Sequence, residues 1–155
     1  MTSAHPTVLL CRQRPPRWLR RGGGVLLLLV AAGLAAGTAT AGLPALLGAG
    51  FFALAGIWWA FAARISARLD AHTLTLAAPL WRRRLPREQI SQVRVEPDSG
   101  LNPGLLNWPV LRTGGLIRLN MGGRTAVSFS AGGRRYQFVL DRPQLARQLA
   151  QALRG

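Results

Sequence analysis

The chain has 155 residues and a formal net charge of +15, carried by 20 basic residues that are all arginine, against five acids. Without lysine it has neither the amine of a Walker-type phosphate loop nor that of a Schiff-base catalyst. One cysteine, Cys11, two distant histidines, His5 and His72, and the five acids rule out an intrachain disulfide and a cysteine metal cluster, and they are a poor toolkit for acid–base chemistry.

In chain order, residues 1–21 read as a basic arm holding Arg12, Arg14, Arg17, Arg20 and Arg21 and no acid. Residues 22–63 then contain no charge at all. A bilayer core takes about 20 apolar residues per helix, so this run is long enough for two spans. Thr38, Thr40, Gly42 and Pro44 mark a break, which predicts a helical hairpin with spans of about 23–40 and 44–63. Both flanks are positive and the turn is neutral, which places both termini in the cytoplasm. Trp18, Trp58, Trp59 and Phe61 would then share one interface. An alternative is a cleaved signal over residues 1–41, with Arg17, Arg20 and Arg21 as its charged region and Ala39, Thr40 and Ala41 at the cleavage site. Gly33 with Gly37, and Ala49 with Ala53, have small-xxx-small spacing; they suit close packing within the hairpin or a dimer face.

From Arg64 the pattern shortens to period-2 alternation, the sign of half-buried strands. Seven strands are expected, around 65–70, 73–76, 80–85, 91–96, 117–121, 125–129 and 136–140, with residues 64–155 as one cytoplasmic domain. Asp70, Ala71 and His72 form the first turn. Residues 97–115 read as a long loop whose Leu105, Leu106 and Trp108 form a surface-packed or interfacial patch. Gly122-Gly123 and Gly132-Gly133 suit hairpin turns. Asp141 as N-cap, Pro143 in the first turn and Leu145, Leu149 and Leu153 at four-residue spacing predict an amphipathic C-terminal helix.

The two spans followed by Leu80-Trp81-Arg82-Arg83-Arg84-Leu85-Pro86, then Ile90-Ser91-Gln92-Val93, the later strands and the Asp141-Arg142-Pro143 helix start, resemble the bacterial pleckstrin-homology-like (PH-like) membrane proteins. Leu85 stands where isoleucine is commoner in that pattern. The resemblance implies an α+β protein, with a seven-stranded β-barrel or sandwich capped by a helix and attached to the inner membrane. It implies no enzyme activity and no cofactor. Phosphoinositide readers of the wider superfamily cluster basic residues at the first hairpin, whereas here that turn is acidic and short.

Alternation puts Arg82 and Arg84 on one face of their strand and Arg83 with Trp81 and Leu85 on the other. His72 beside Asp70 has no nucleophile near it in sequence and reads as a solvated turn residue. The expected function is a non-enzymatic, membrane-anchored interaction module that docks a protein partner. The alternative is a binder of anionic lipid headgroups through Arg82, Arg84, Arg87, Arg20 and Arg21. Non-specific nucleic-acid binding is the remote third reading, since charge alone gives affinity for phosphate backbones. A homo-oligomer through the helical hairpin is a further expectation.

Overall fold

The structure, a computed structural model, describes residues 9–102 and 109–155. It divides into two compact units, one of residues up to Arg14 together with Arg64–Gly155, the other of Pro15–Ala63.

The second unit is helical. Helix α1 spans Arg17–Ala36, a single turn α2 spans Thr38–Ala41, and α3 spans Leu43–Phe61. The break falls at Gly37, and the hydroxyls of Thr38 and Thr40 donate to the carbonyls of Ala35 and Gly37 at 2.8 and 3.0 Å. These side-chain bonds add to the backbone ones that the same carbonyls accept, from the Gly37 N–H and from the Thr40 and Ala41 N–H groups. Gly42, at φ 63°, then reverses the chain in the left-handed region. The helices are antiparallel and meet through small residues: Gly24 and Ala31 are buried on α1, and Ala45, Ala49 and Gly56 on α3. A Cβ on Gly56 would stand 3.2 Å from the Gly24 carbonyl oxygen, so the two backbones approach closely there. Gly33 meets nothing within 4 Å and so lies off this contact, whereas Ala49 is on it. Both α1 and α3 are long and apolar enough to cross a bilayer, and only 11% and 17% of their apolar stretches are buried. Leu29, Phe51 and Leu54 are among the large apolar side chains left uncovered.

The first unit holds nine strands among its described residues: β1 Leu9–Gln13, β2 Ile65–Leu69, β3 Thr73–Ala78, β4 Trp81–Pro86, β5 Ser91–Pro97, β6 Val110–Thr113, β7 Leu116–Leu119, β8 Thr125–Ala131 and β9 Arg134–Leu140. They form two open sheets, ordered β1-β2-β3-β4 and β5-β8-β9-β7-β6. Of the expected seven-stranded barrel or sandwich with a capping helix, the sheets and the C-terminal helix are present, but the described strands number nine and the sheets do not close into a barrel. Strand β1 lies in the supposed arm and pairs antiparallel with β2, Leu9 opposite Leu69 and Gln13 opposite Ile65. Strand β6 lies in the supposed loop and joins β7 through Gly114-Gly115, both at positive φ.

The two glycine pairs read as hairpin turns behave differently. Gly132 and Gly133, at φ 55° and 73°, close a two-residue hairpin between Ala131 and Arg134. Gly122-Gly123 does not make a hairpin, because β7 runs parallel to β9 rather than pairing with β8. A Cβ on Gly123 would stand 2.4 Å from the Leu140 carbonyl carbon, so glycine is needed there for backbone to cross backbone.

The core follows the alternation. Ile65, Ala67 and Leu69 are buried on β2, Leu74 and Leu76 on β3, Val127 and Phe129 on β8, and Tyr136, Phe138 and Leu140 on β9. Phe129 and Tyr136 stack with centroids 5.4 Å apart. Helix α4, Pro143–Arg154, buries Ala146, Leu149, Ala150 and Leu153 and packs on β5, β8, β9 and β1. Its N-cap position is Arg142, with no side-chain cap, so Asp141 does not serve as the expected cap. The Asp141 backbone N–H instead donates to Gln13 Oε1 at 3.1 Å.

Candidate functional site

Register decides which arginines act together, because residues directly opposite in antiparallel strands project to the same face. Across the four-stranded sheet one row reads Arg12, Ser66, Ala77, Arg82, and the next reads Leu10, Arg68, Thr75, Arg84. Arg12, Arg68, Arg82 and Arg84 are all exposed. The opposite face carries Cys11, Ile65, Ala67, Leu69, Leu74, Leu76 and Leu85, all buried. Strand alternation thus sorts this sheet into an apolar inner face and an arginine-bearing outer one.

With strands about 4.8 Å apart, Arg12 and Arg82 stand roughly 14 Å from each other and Arg68 and Arg84 roughly 10 Å. That spacing is too wide for four guanidiniums to close on one phosphate. It presents a field of separate donors to an extended anionic surface. The one acid on the face is Asp70, which pairs with Arg68 at 3.2 Å while both side chains stay substantially exposed, 58% and 40%. Such an exposed pair adds little stability and opens readily to a competing anion.

The remaining expected contacts are placed as follows. Arg83 is exposed, opposite Leu76 on the inward-facing side of the edge strand β4. Arg87 sits in a short 3-10 turn after β4, and its Nη2 donates to the Ala152 carbonyl oxygen at 2.8 Å, in the last turn of α4. A guanidinium there satisfies a carbonyl that the helix end leaves unpaired, so Arg87 stands apart from the Arg82–Arg84 face. Arg20 and Arg21 lie near the start of α1. Leu105, Leu106 and Trp108 lie outside the described residues. His72 is an exposed turn residue whose carbonyl accepts the Arg87 N–H at 2.9 Å. Cys11 is fully buried, and burial pushes its thiol pKa up, so it packs and does not react.

Sequence reasoning missed two of the four face arginines as members of a group. Arg68 was legible as outward-facing on β2, but Arg12 could join only once the arm was known to contain a strand. It also missed a buried polar cluster around Arg118 on β7. Arg118 Nε donates to Asn102 Oδ1 at 3.0 Å, Nη1 to Asp98 Oδ2 at 2.7 Å and to Gln137 Oε1, and Nη2 to Asp98 Oδ1 at 2.7 Å and the Leu101 carbonyl at 3.1 Å. All five of its N–H groups are used. Asn120, fully buried, adds bonds to the Gly100 carbonyl and to Asn102. Burial raises the Asp98 pKa, but the Arg118 hydrogen bonds and charge and the Gly100 N–H outweigh it, so the carboxyl is held below its ordinary value. This cluster is inward and saturated; it fixes the 98–102 segment onto β7 and offers no open coordination. Among the described residues no group of three or more His, Cys, Asp or Glu gathers as a metal site.

Comparison of the chain with protein-family models, with curated proteins and with solved structures returns no match.

Proposed function

We propose that this chain is a two-span membrane protein with both termini in the cytoplasm, whose sheet unit lays the arginine face of its four-stranded sheet on anionic headgroups of the cytoplasmic leaflet. The observation that carries this reading is the alignment of Arg12, Arg68, Arg82 and Arg84, from three strands, on one exposed face with a single acid. On this reading the protein is a non-enzymatic surface module, and grouping it with the PH-like membrane proteins remains part of the proposal.

Three physical points support it. Each basic residue near an anionic bilayer contributes about 1 kcal/mol, so the face counts for roughly 3–4 kcal/mol at low ionic strength. The linkers between the units are short: residues 14–16 join β1 to α1 and residues 62–64 join α3 to β2. Arg17, Arg20 and Arg21 crowd the start of α1 with no acid in its first turn. The helix dipole disfavours cations at that end; facing lipid phosphate, they gain a counter-charge.

The test is arginine footprinting with phenylglyoxal on the full chain in lipid nanodiscs, read residue by residue by mass spectrometry. Arg12, Arg82 and Arg84 should label more slowly in discs containing phosphatidylglycerol than in pure phosphatidylcholine, with Arg134 as an exposed reference. The difference should fade between about 50 and 500 mM salt, as screening shortens the Debye length. Equal labelling in both lipids overturns the reading. Protection that appears only in native membranes, with none in anionic discs, assigns the face to a protein partner instead.

A further inference from the structure

The hairpin joining β3 to β4 closes between Ala78 and Trp81, with Pro79 and Leu80 at its tip. Leu80 is 95% exposed, the largest value among the exposed large apolar residues that the structure describes. Its φ is 56°, in the left-handed region that a side chain with a Cβ disfavours. Glycine or asparagine would fit such a turn without strain and without leaving an isobutyl group in water. Leucine at this position costs the fold twice, and nothing within the sheet unit covers it in return.

The position of the tip supplies a reason. Gln13 pairs with Ile65, Ser66 with Ala77, and Ala78 with Trp81, so the tip is at the same end of the sheet as Gln13 and Ile65. From that end both linkers run, three residues each, to the helices that are apolar enough to cross a bilayer. Next to Leu80 stand half-buried Trp81 and exposed Arg82, with Arg12 in the same row as Arg82. A leucine flanked by an indole and by arginines whose stems are apolar and heads charged is the chemistry of the bilayer interface.

We propose that the Pro79–Leu80 tip is an interfacial anchor, with the Leu80 side chain set below the headgroups of the same leaflet that the arginine face contacts. This rests on the lipid-facing reading above and adds to it a depth: beside Arg82, the tip reaches below the headgroups that the arginine face contacts.

The experiment uses the full chain with Leu80→Cys carrying a nitroxide label, in nanodiscs of phosphatidylglycerol and phosphatidylcholine. Cys11 is fully buried, so the unsubstituted chain serves as the labelling blank. Leu80 makes no core contact, which leaves the fold of the variant intact. Power saturation with oxygen and with a water-soluble nickel chelate reports depth, and an Arg134→Cys label gives the aqueous reference. The oxygen-to-nickel accessibility ratio at position 80 should exceed the reference by on the order of tenfold if the side chain enters the interface. Equal ratios overturn the anchor. Footprinting on the same discs separates the two claims. Protected arginines with an aqueous label at 80 overturn the anchor alone. An immersed label with unprotected arginines keeps the anchor and overturns the headgroup reading, and failure of both readouts overturns both.

Discussion

Replacing Arg118 by methionine keeps the apolar stem of the side chain and removes every donor that the guanidinium brings to the buried cluster. Five hydrogen bonds are lost, two of them 2.7 Å bonds to the Asp98 carboxylate. Both side chains are nearly dry, 7% exposed for Arg118 and 6% for Asp98. Removing one partner of a buried pair strands the other charge and typically costs about 3–5 kcal/mol. For a unit of this size, at about 4–8 °C per kcal/mol, the midpoint of thermal unfolding should fall by more than about 10 °C. Circular dichroism of the β signal in detergent, with the helical hairpin held in the micelle, reads this directly. The pH dependence carries a second signature. In the native protein the Asp98 pKa is lowered in the folded state, so its contribution to stability is present above the unfolded value, about 3.9, and is lost as pH falls through the folded value. In the variant, burial is left opposed by the Gly100 N–H alone, and burial is the larger influence. The folded pKa then rises above the unfolded one, and the Asp98 contribution is lost as pH rises through it. The Asp98 part of the acid-side slope, read as the difference between variant and native protein, should therefore change sign. A loss under about 1 kcal/mol with an unchanged slope would refute the cluster as the fastening of this loop.

Two further outcomes follow from the topology. Gly123→Ala would place its Cβ 2.4 Å from the carbonyl carbon and 2.6 Å from the carbonyl oxygen of Leu140, both unyielding backbone atoms; overpacking of this kind costs about 1–3 kcal/mol, which a urea midpoint would register. A piece beginning at residue 64 lacks β1, baring the edge of β2 and the cavity left by Cys11, so size-exclusion chromatography with light scattering should show it aggregated. A chain in which a short Gly/Ser linker joins Arg14 to Arg64 should run as a monomer, and a monomeric piece from residue 64 with protected β2 amides would count against β1 as part of the sheet.

The sequence shows most clearly what depends on neighbours in the chain and least what depends on partners far along it. The uncharged run of residues 22–63 and the alternation of β2, β3, β8 and β9 were readable because burial leaves a period in the sequence. The Leu145, Leu149, Leu153 stripe was readable for the same reason, and its last two members are buried with Leu145 half-covered. Strand β1 was not. Leu9, Leu10, Cys11, Arg12 and Gln13 lack a clean alternation, and their pairing partner lies beyond both helices, more than 50 residues on. The parallel placement of β7 beside β9 was hidden for a related reason. Gly122-Gly123 carries a strong turn signal, but glycine is required there by the crossing over Leu140 and not by a hairpin. Arg118 was invisible as a core residue because a lone arginine on a strand reads as outward. Only the 98–102 segment folding over that face reverses the inference.

The arginines of this chain therefore do at least three different jobs, and counterions tell them apart. Arg118 has its acid partner and every donor satisfied inside the protein. Arg87 has a helix carbonyl. Arg12, Arg82 and Arg84 have neither, and among the described residues the only ion pair on their face is the exposed one between Arg68 and Asp70. Alternation by itself lines up the outward side chains of a half-buried sheet; what it leaves open is that four of them are arginine and only Asp70 is an acid. Protection of a free edge explains part of β4, since arginines there discourage strand addition. It does not explain Arg68, which sits on the interior strand β2, paired on both sides. An interior strand has no edge to protect, so the charge at Arg68 stands on the outer face beside Asp70, where on the proposed reading a headgroup would compete for it.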